Sequence, residues 1–193
     1  MDQDVSTNIE FGTDGWRGVI GFEFNISNLI KVVVASCQEL QFQYSDKVKS
    51  KKIIIGYDRR FMADYFAKSI IPFVNACGLE VILSGSFVTR PSCSFCTREF
   101  GILGALVITA SHNPYNWLGL KIKNFQGSSV NRLFTKRVEQ RIKLGNKIEV
   151  EYGSYEKVDV KNYHLEKIKS LFDTEFIIAK LKEMDISVFI DSM

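Results

Sequence analysis

The chain has 193 residues, of which 46% are hydrophobic and 24% are charged, as in an ordinary soluble globular protein with room for one well-packed domain and the start of another. Its 25 Lys and Arg residues exceed its 22 Asp and Glu residues by three, an excess too small to indicate a nucleic-acid or membrane-surface partner. No apolar run is long enough to span a bilayer, and the acidic start Met1-Asp2-Gln3-Asp4 is unlike a signal peptide, so we expect a cytoplasmic protein.

A glycine-rich segment, residues 11–18, comes first and surrounds Arg17 with glycines. Glycine permits positive φ and a close approach of the backbone to a ligand. The segment can simply be a tight turn before a strand through Val19 and Ile20, and its spacing is not that of a dinucleotide or P-loop motif. An arginine in such a turn nevertheless suits phosphate, because its planar guanidinium can bind phosphate oxygens in pairs.

Strand and helix patterns then alternate along the chain. Apolar residues at helical spacing predict helices over residues 28–42 (with Ser27 as N-cap), 62–77, 92–100 and 133–144. Short apolar runs predict strands over residues 52–57, 80–83, 106–108 and 120–123. Pro72 lies inside the second helix and predicts a kink or a break there. The alternation indicates an α/β domain with three layers, α/β/α, around a mostly parallel mixed sheet.

Two polar stretches follow predicted strands at their carboxyl ends, where ligands bind in open α/β sheets. The first contains Asp58 and Arg60, which fit a helix-capping aspartate and a solvated arginine. The second runs from Thr109 to Pro114 and places Ser111 and His112 where a buried strand opens into a loop. A loop serine is common by itself, because its hydroxyl bonds nearby backbone groups in turns.

Four cysteines are present, and two of them, Cys93 and Cys96, have the spacing of half a zinc site or of a redox pair. A zinc site would need two further ligands, and Cys37 and Cys77 stand alone in the sequence. Because Cys93 and Cys96 share one face of the predicted helix over residues 92–100, we interpret them as two buried thiols.

The stretch Thr109-Ala110-Ser111-His112-Asn113-Pro114 resembles the active-site serine loop of the α-D-phosphohexomutases, the phosphoglucomutase and phosphomannomutase enzymes. In that family the serine of this hexapeptide is phosphorylated, and the resemblance implies the same for Ser111. A lysine follows in an Asn-Gly-x-Lys element. Lys121 holds that place here, while Leu118 replaces the asparagine.

Two other stretches resemble elements of the same family. Residues 11–18 are similar to its N-terminal Gly-Thr-x-Gly-x-Arg-Gly element, in which Arg17 takes the place of an active-site arginine. Residues 56–60 match its Gly-x-Asp-x-Arg element. The resemblance implies phosphate-binding or supporting roles for Thr13, Gly15, Asp58, Arg60 and Asn113.

The activity that the resemblance implies is the interconversion of hexose 1-phosphate and hexose 6-phosphate. Phosphorylated Ser111 would give its phosphoryl group to a hexose monophosphate, and the resulting hexose 1,6-bisphosphate would turn over in the site and return its other phosphate. Lys121 and Arg17 would stabilise phosphoryl charge and assist proton transfer, and His112 would orient the loop or the sugar hydroxyl. Mg²⁺ is the implied metal, with a phosphate oxygen on Ser111 as one ligand. The choice among glucose, mannose and glucosamine stays open.

The C-terminal part is expected to begin a second domain. We assign residues 1–150 to a first domain with the phosphoserine loop, and residues 151–193 to a linker, helices and the first strand of an incomplete second α/β domain. The predicted elements are a strand over residues 148–152, helices over residues 163–172 and 175–184, and a strand over residues 187–191.

Only the first of the family's four domains and the start of the second have a counterpart here. The aspartate-rich metal loop, the sugar-specificity loop and the C-terminal phosphate loop are not found. We therefore expect either a fragment of a full mutase or a natural truncation, with negligible mutase turnover by itself. Its expected partners are a small sugar phosphate and the missing C-terminal domains of the same enzyme.

Two other functions compete with this interpretation. The main alternative is a catalytically inactive, truncated mutase domain that binds an anion or a partner. The other is a serine hydrolase in which His112 is the base for Ser111. Against it, the Gly-x-Ser-x-Gly elbow is absent, adjacent residues at a strand end tend to point apart, and His164 lies in a predicted helix.

Overall fold

The computed structural model describes residues 9–12, 15–145, 148–150 and 152–191, which form one six-stranded sheet with helices on both faces. The strands are β1 (Trp16–Val19), β2 (Ser50–Tyr57), β3 (Glu80–Ser84), β4 (Ile102–Ile108), β5 (Trp117–Lys123) and β6 (Glu156–Val158). The helices are α1 (Ile26–Tyr44), α2 (Ala63–Ser69), α3 (Ile71–Ala76), α4 (Arg90–Glu99), α5 (Arg132–Leu144), α6 (Val160–Ser170) and α7 (Thr174–Glu183).

The sheet is mixed and mostly parallel, as predicted. Its strand order is β1-β5-β4-β2-β3-β6. The strands β4, β2, β3 and β6 run parallel to one another, whereas β5 runs antiparallel to both of its neighbours, β1 and β4. Because β4 and β5 are adjacent antiparallel strands, the connection between them, residues 109–116, is a short loop at the carboxyl end of β4.

Apolar side chains cover both faces of the central strands. All seven residues of β4 are buried, as a continuous apolar run predicts for a strand that is covered on both sides. On one face, Leu106 of β4 shares a core with Leu29 of α1 and Phe134 of α5. On the other, the strands pack against α4, where Cys93 and Cys96 are buried as predicted. These layers confirm the α/β/α arrangement. No helix in the described ranges is long and apolar enough to cross a membrane.

Local signals in the sequence explain where the helices begin and break. Asn25 is the N-cap of α1, and its side chain accepts a hydrogen bond from the backbone N–H of Asn28 at 2.9 Å. The predicted cap at Ser27 is therefore wrong, because Asn25 already satisfies that N–H and Ser27 lies within the first turn. The predicted helix over residues 62–77 is divided into α2 and α3. Pro72 lies at the start of α3, where its missing N–H leaves no helical bond unmade.

The C-terminal strands differ from the prediction. The described residues of the segment 148–152 form no strand, and β6 instead pairs with the edge of β3 while α6 packs against α4. The segment 187–191 also forms no strand, and its side chains are exposed, because a strand needs a neighbouring edge for its hydrogen bonds. The helices α6 and α7 lie within one turn of their predicted positions. The division at residue 150 stays a prediction, although β6 and α6 pack on the same sheet as β1 to β5.

Candidate active site

The loop between β4 and β5 carries the predicted nucleophile at an exposed position. Ser111 and His112 are both exposed, whereas Thr109 and Ala110 just before them are buried at the end of β4. Ser111 has φ of 57°, in the left-handed region that non-glycine residues rarely occupy. Its backbone N–H donates to Thr109 Oγ1 at 3.0 Å, and the N–H of Asn113 donates to the Ala110 carbonyl at 3.1 Å. Such backbone strain persists only where surrounding contacts enforce it, and it is commonest at functional sites.

Arg60 supplies those contacts by binding the serine loop through its backbone. Its Nη2 donates to the carbonyls of Ser111 at 2.8 Å and Asn113 at 2.5 Å. Its Nη1 donates to the carbonyls of Pro114 at 2.7 Å and Trp117 at 3.1 Å. A planar guanidinium offers five N–H donors in a fixed geometry, so one side chain can hold four carbonyls in place. We conclude that Arg60 positions the serine loop rather than being free to bind phosphate itself.

Asp58 in turn holds Arg60 and ties the ends of two strands together. Asp58 Oδ1 accepts a hydrogen bond from the backbone N–H of Arg60 at 2.9 Å, and its Oδ2 lies 3.8 Å from Arg60 Nε. The Asp58 N–H donates to the Ile108 carbonyl at the end of β4. The N-cap position of α2 is Met62, which makes no side-chain cap bond. The capping interpretation of Asp58 is therefore wrong, since its carboxylate supports the arginine instead.

Arg17 approaches the same loop from β1. Its Nη1 donates to Asn113 Oδ1 at 2.8 Å, so a side chain from the N-terminal glycine-rich segment contacts the loop that carries Ser111. Arg17 lies opposite Gly119 in the β1–β5 pairing. A Cβ at Gly119 would lie 2.8 Å from Arg17 Cγ and 2.7 Å from the Trp16 carbonyl oxygen. Gly119 therefore leaves the space through which Arg17 reaches the loop, a role that residue spacing did not indicate.

Lys121 lies on β5 on the same face of the sheet as Arg17. Cross-strand partners point to the same side, and side chains alternate along a strand, so Gly119 and Lys121 share the face of Arg17. Lys121 is 1% exposed, which is unusual for lysine. Gly15 has φ of 99° and packs against this strand, and a Cβ there would lie 3.2 Å from Lys121 Cγ. Two cationic residues, Arg17 and Lys121, thus lie on the same face of the sheet.

The remaining predicted site residues are less informative. His112 makes no hydrogen bond or ion pair with any residue that the structure describes. Thr13 lies outside the described residues. His164 is held elsewhere, since its Nδ1 is 3.0 Å from Ser92 Oγ and its ring stacks on Phe95. Among the described residues, His164 therefore does not lie at the serine loop, and His112 is the only histidine there that a serine hydrolase could use as a base.

The fit of the site to Mg²⁺ depends on the phosphate rather than on side chains. Within the described ranges, no group of three His, Cys, Asp or Glu side chains is arranged to hold a metal ion. Asp58 is the carboxylate nearest to Arg60 in the sequence, and both of its oxygens already contact Arg60. A phosphate on Ser111 would nevertheless offer the oxygen ligands that Mg²⁺ prefers.

Comparison with known proteins gives a consistent set of relatives. Residues 8–149 match the family model described as phosphoglucomutase/phosphomannomutase, alpha/beta/alpha domain I. The chain is 31% identical over 140 residues to a phosphoglucosamine mutase of Finegoldia magna, a match that covers 72% of this chain and 30% of the relative. It is 29% identical over 166 residues to a phosphoglucomutase of Staphylococcus haemolyticus, with 84% of this chain and 30% of the relative covered. The chain thus spans less than a third of the length of these relatives.

Solved structures show the same similarity. A phosphomannomutase-family protein from Thermus thermophilus superimposes with a TM-score of 0.76 at 31% identity, over 87% of this chain and 37% of that one. The parafusin phosphoglucomutase of Paramecium superimposes with a TM-score of 0.71 over 85% of this chain and 35% of that one. At 19% identity the second comparison reports on the fold alone.

Proposed function

Because the chain belongs to the phosphoglucomutase/phosphomannomutase family through its alpha/beta/alpha domain I, we propose that it carries the phosphorylated serine of a phosphohexomutase. In this proposal the enzyme interconverts hexose 1-phosphate and hexose 6-phosphate through a hexose 1,6-bisphosphate. The relatives' names, phosphoglucosamine mutase and phosphoglucomutase, support a hexose phosphate as the substrate class.

The observation that carries the proposal is the way in which Ser111 is presented. Its side chain is exposed in the loop, while Arg60 holds the surrounding backbone through hydrogen bonds to four carbonyls. Positioning contributes much of the rate in phosphoryl transfer, since the protein has little covalent chemistry to perform. An exposed hydroxyl on a rigid support suits a residue that must receive and release a phosphoryl group.

Phosphoryl transfer between Ser111 and the hexose monophosphate uses the residues around the serine loop. The bond between phosphorus and Ser111 Oγ breaks as a bond to a hydroxyl oxygen of the hexose monophosphate forms, and the proton that this hydroxyl loses ends on Ser111 Oγ. Arg17 and Lys121, on the face beside the loop, stabilise the charge that develops on the phosphoryl oxygens. His112, which is exposed in the loop, orients the loop or the sugar hydroxyl. An oxygen of the phosphate on Ser111 would be one ligand of Mg²⁺, which would neutralise phosphoryl charge. The second transfer runs in reverse from the other phosphate of the bisphosphate and restores phosphorylated Ser111.

The experiment that tests this function is phosphate transfer to the chain itself. Incubation with glucose 1,6-bisphosphate, followed by intact-mass measurement and peptide mapping, should locate a phosphate on Ser111. The Ser111→Ala variant should take up none, and Ser170→Ala, at an exposed serine on α6, should behave like the unaltered chain. Equal uptake by Ser111→Ala would refute the assignment. Binding of the bisphosphate without any transfer would instead favour the inactive anion-binding domain.

A further inference from the structure

Two of the four cysteines meet between α1 and the end of α3, far from the serine loop. Cys37 is fully buried on α1, and Cys77 is the partly exposed residue that follows α3. Both side chains belong to the same hydrophobic core, in which Cys77 packs at the edge of the cluster that contains Cys37. Gln41, one turn after Cys37, donates from Nε2 to the Cys77 carbonyl at 3.0 Å and so fixes the end of α3 against α1. The bond from Gln41 therefore keeps Cys77 beside the turn of α1 that carries Cys37.

The same contact makes the two thiols unequal. The hydrogen bond to Cys77, together with burial, raises the pKa of the Cys37 thiol well above its usual range. The hydrogen bond from Cys37 lowers the pKa of Cys77, which outweighs the opposing effect of partial burial. Burial raises the pKa of Cys93 to about 12 and that of Cys96 to about 11. The thiolate is the reactive form of cysteine, so Cys77 combines the accessibility and the acidity that the other three lack.

We propose that Cys77 is a thiol-modification site, and that a small-molecule disulfide such as oxidised glutathione converts the Cys37–Cys77 contact into a disulfide bond. The Cys77 thiolate attacks one sulfur of the oxidant, forms a mixed disulfide and releases one glutathione. Cys37 then loses its proton and attacks the Cys77 sulfur, which forms the protein disulfide and releases the second glutathione. Two protein thiols are oxidised, and one glutathione disulfide is reduced to two glutathione molecules, which take up the two thiol protons.

The site is separate from the proposed phosphoryl-transfer site. Cys77 precedes β3, so it lies at the amino end of that strand, whereas Ser111 follows β4 at its carboxyl end. Because β3 and β4 run parallel, these ends are opposite edges of the sheet. A failure of the phosphohexomutase proposal would therefore leave the oxidation proposal unaffected, and the reverse also holds.

The first test measures the order in which the reduced, unaltered chain is alkylated. Limited treatment with iodoacetamide and peptide mapping should show Cys77 reacting on the order of ten-fold faster than Cys93 or Cys96, which are buried on α4. Equal rates for these three cysteines would overturn the proposal. This measurement needs no substitution and so does not depend on a variant folding.

The second test uses oxidised glutathione and two matched variants. In the unaltered chain, non-reducing peptide maps should show a Cys37–Cys77 disulfide. Cys37→Ala should stop at a glutathione adduct on Cys77, and Cys93→Ala should still form the Cys37–Cys77 bond. The proposal is wrong if the unaltered chain forms no such bond, or if Cys37→Ala accumulates no adduct at Cys77.

Discussion

At the scale of single residues, the serine loop shows how one side chain can determine the conformation of several others. Arg60 is bonded to three carbonyls of the loop and to that of Trp117 at the start of β5, and Asp58 supports Arg60, so the exposed Ser111 rests on a braced backbone. Thr109 adds a further support, because its hydroxyl accepts the N–H of Ser111. The signal for Thr109 is local, since Ser and Thr hydroxyls commonly bind the backbone two residues onward in turns.

Replacing Arg60 by lysine tests the positioning role. Lysine keeps the positive charge but presents a compact ammonium with three N–H donors, too few to bind all four carbonyls. We expect Arg60→Lys to lower the rate of Ser111 phosphorylation by glucose 1,6-bisphosphate on the order of 10- to 100-fold. The free energy of unfolding, measured in urea, should fall by about 1–3 kcal/mol.

The control is the same substitution one position earlier. Arg59 is exposed, and its guanidinium lies 3.7 Å from the ring centroid of Phe87. Arg59→Lys should leave the phosphorylation rate within about two-fold of that of the unaltered chain, because cation–π contacts at exposed sites are worth little. A normal rate in Arg60→Lys would show that the loop needs no such support.

At the scale of the elements, a buried carboxylate joins α1 to α5. Glu39 of α1 is 1% exposed, and its two oxygens contact Arg141 Nε at 2.8 Å and Arg137 Nη1 at 3.5 Å. Gln43 donates from Nε2 to the same carboxylate. A carboxylate that is buried in this way requires such partners, because an unpaired charge is costly to remove from water.

Removing Arg141 should therefore destabilise the packing of the two helices. Arg141→Ala leaves Glu39 with a longer contact to Arg137, and we expect the free energy of unfolding to fall by about 1–3 kcal/mol. Lys143→Ala, an exposed substitution on the same helix, should change it by less than about 0.5 kcal/mol. Urea denaturation of both variants measures the difference, and an equal effect of the two would mean that the ion pair contributes nothing to stability.

At the scale of the whole molecule, the sheet with its flanking helices and the C-terminal part from α7 onward differ in how many apolar side chains they bury. The sheet and its flanking helices bury their apolar side chains, whereas α7 has no buried residue. The large apolar side chains exposed in this C-terminal part include Phe172, Phe176, Ile178, Phe189 and Ile190. A concentration of exposed apolar side chains is unusual for a monomeric protein surface.

We expect this surface to bind a hydrophobic dye while the chain remains folded. The double variant Phe189→Ser and Ile190→Ser should reduce the dye fluorescence by roughly half without changing the near-UV circular dichroism spectrum. Phe61→Ser, at an exposed position before α2 and outside this C-terminal part, should leave the fluorescence nearly unchanged. Unchanged fluorescence in the double variant would place the binding surface elsewhere.

Much of the architecture follows from local features of the sequence. The apolar runs became β2, β3 and β4, Pro72 separates α2 from α3, and Thr89 caps α4. The loop with Ser111 was identified from six consecutive residues, and Arg17 from a short glycine-rich element. The strands, the break at Pro72 and the cap at Thr89 depend on backbone preferences and on contacts within one turn, which the order of residues along the chain specifies directly. Ser111 and Arg17 were identified instead by the resemblance of their segments to a known family.

The sequence by itself thus determined the class of fold, the family and the residue that we propose is phosphorylated. Only the tertiary structure decided how that residue is supported. The four bonds from Arg60 join residues 51 to 57 positions apart, and Arg17 reaches Asn113 across 96 positions. The tertiary structure also decided that β6, rather than another C-terminal segment, pairs with the edge of β3. The physical reason is that such contacts depend on strand order, register and packing, which bring distant residues together only when the whole sheet has formed.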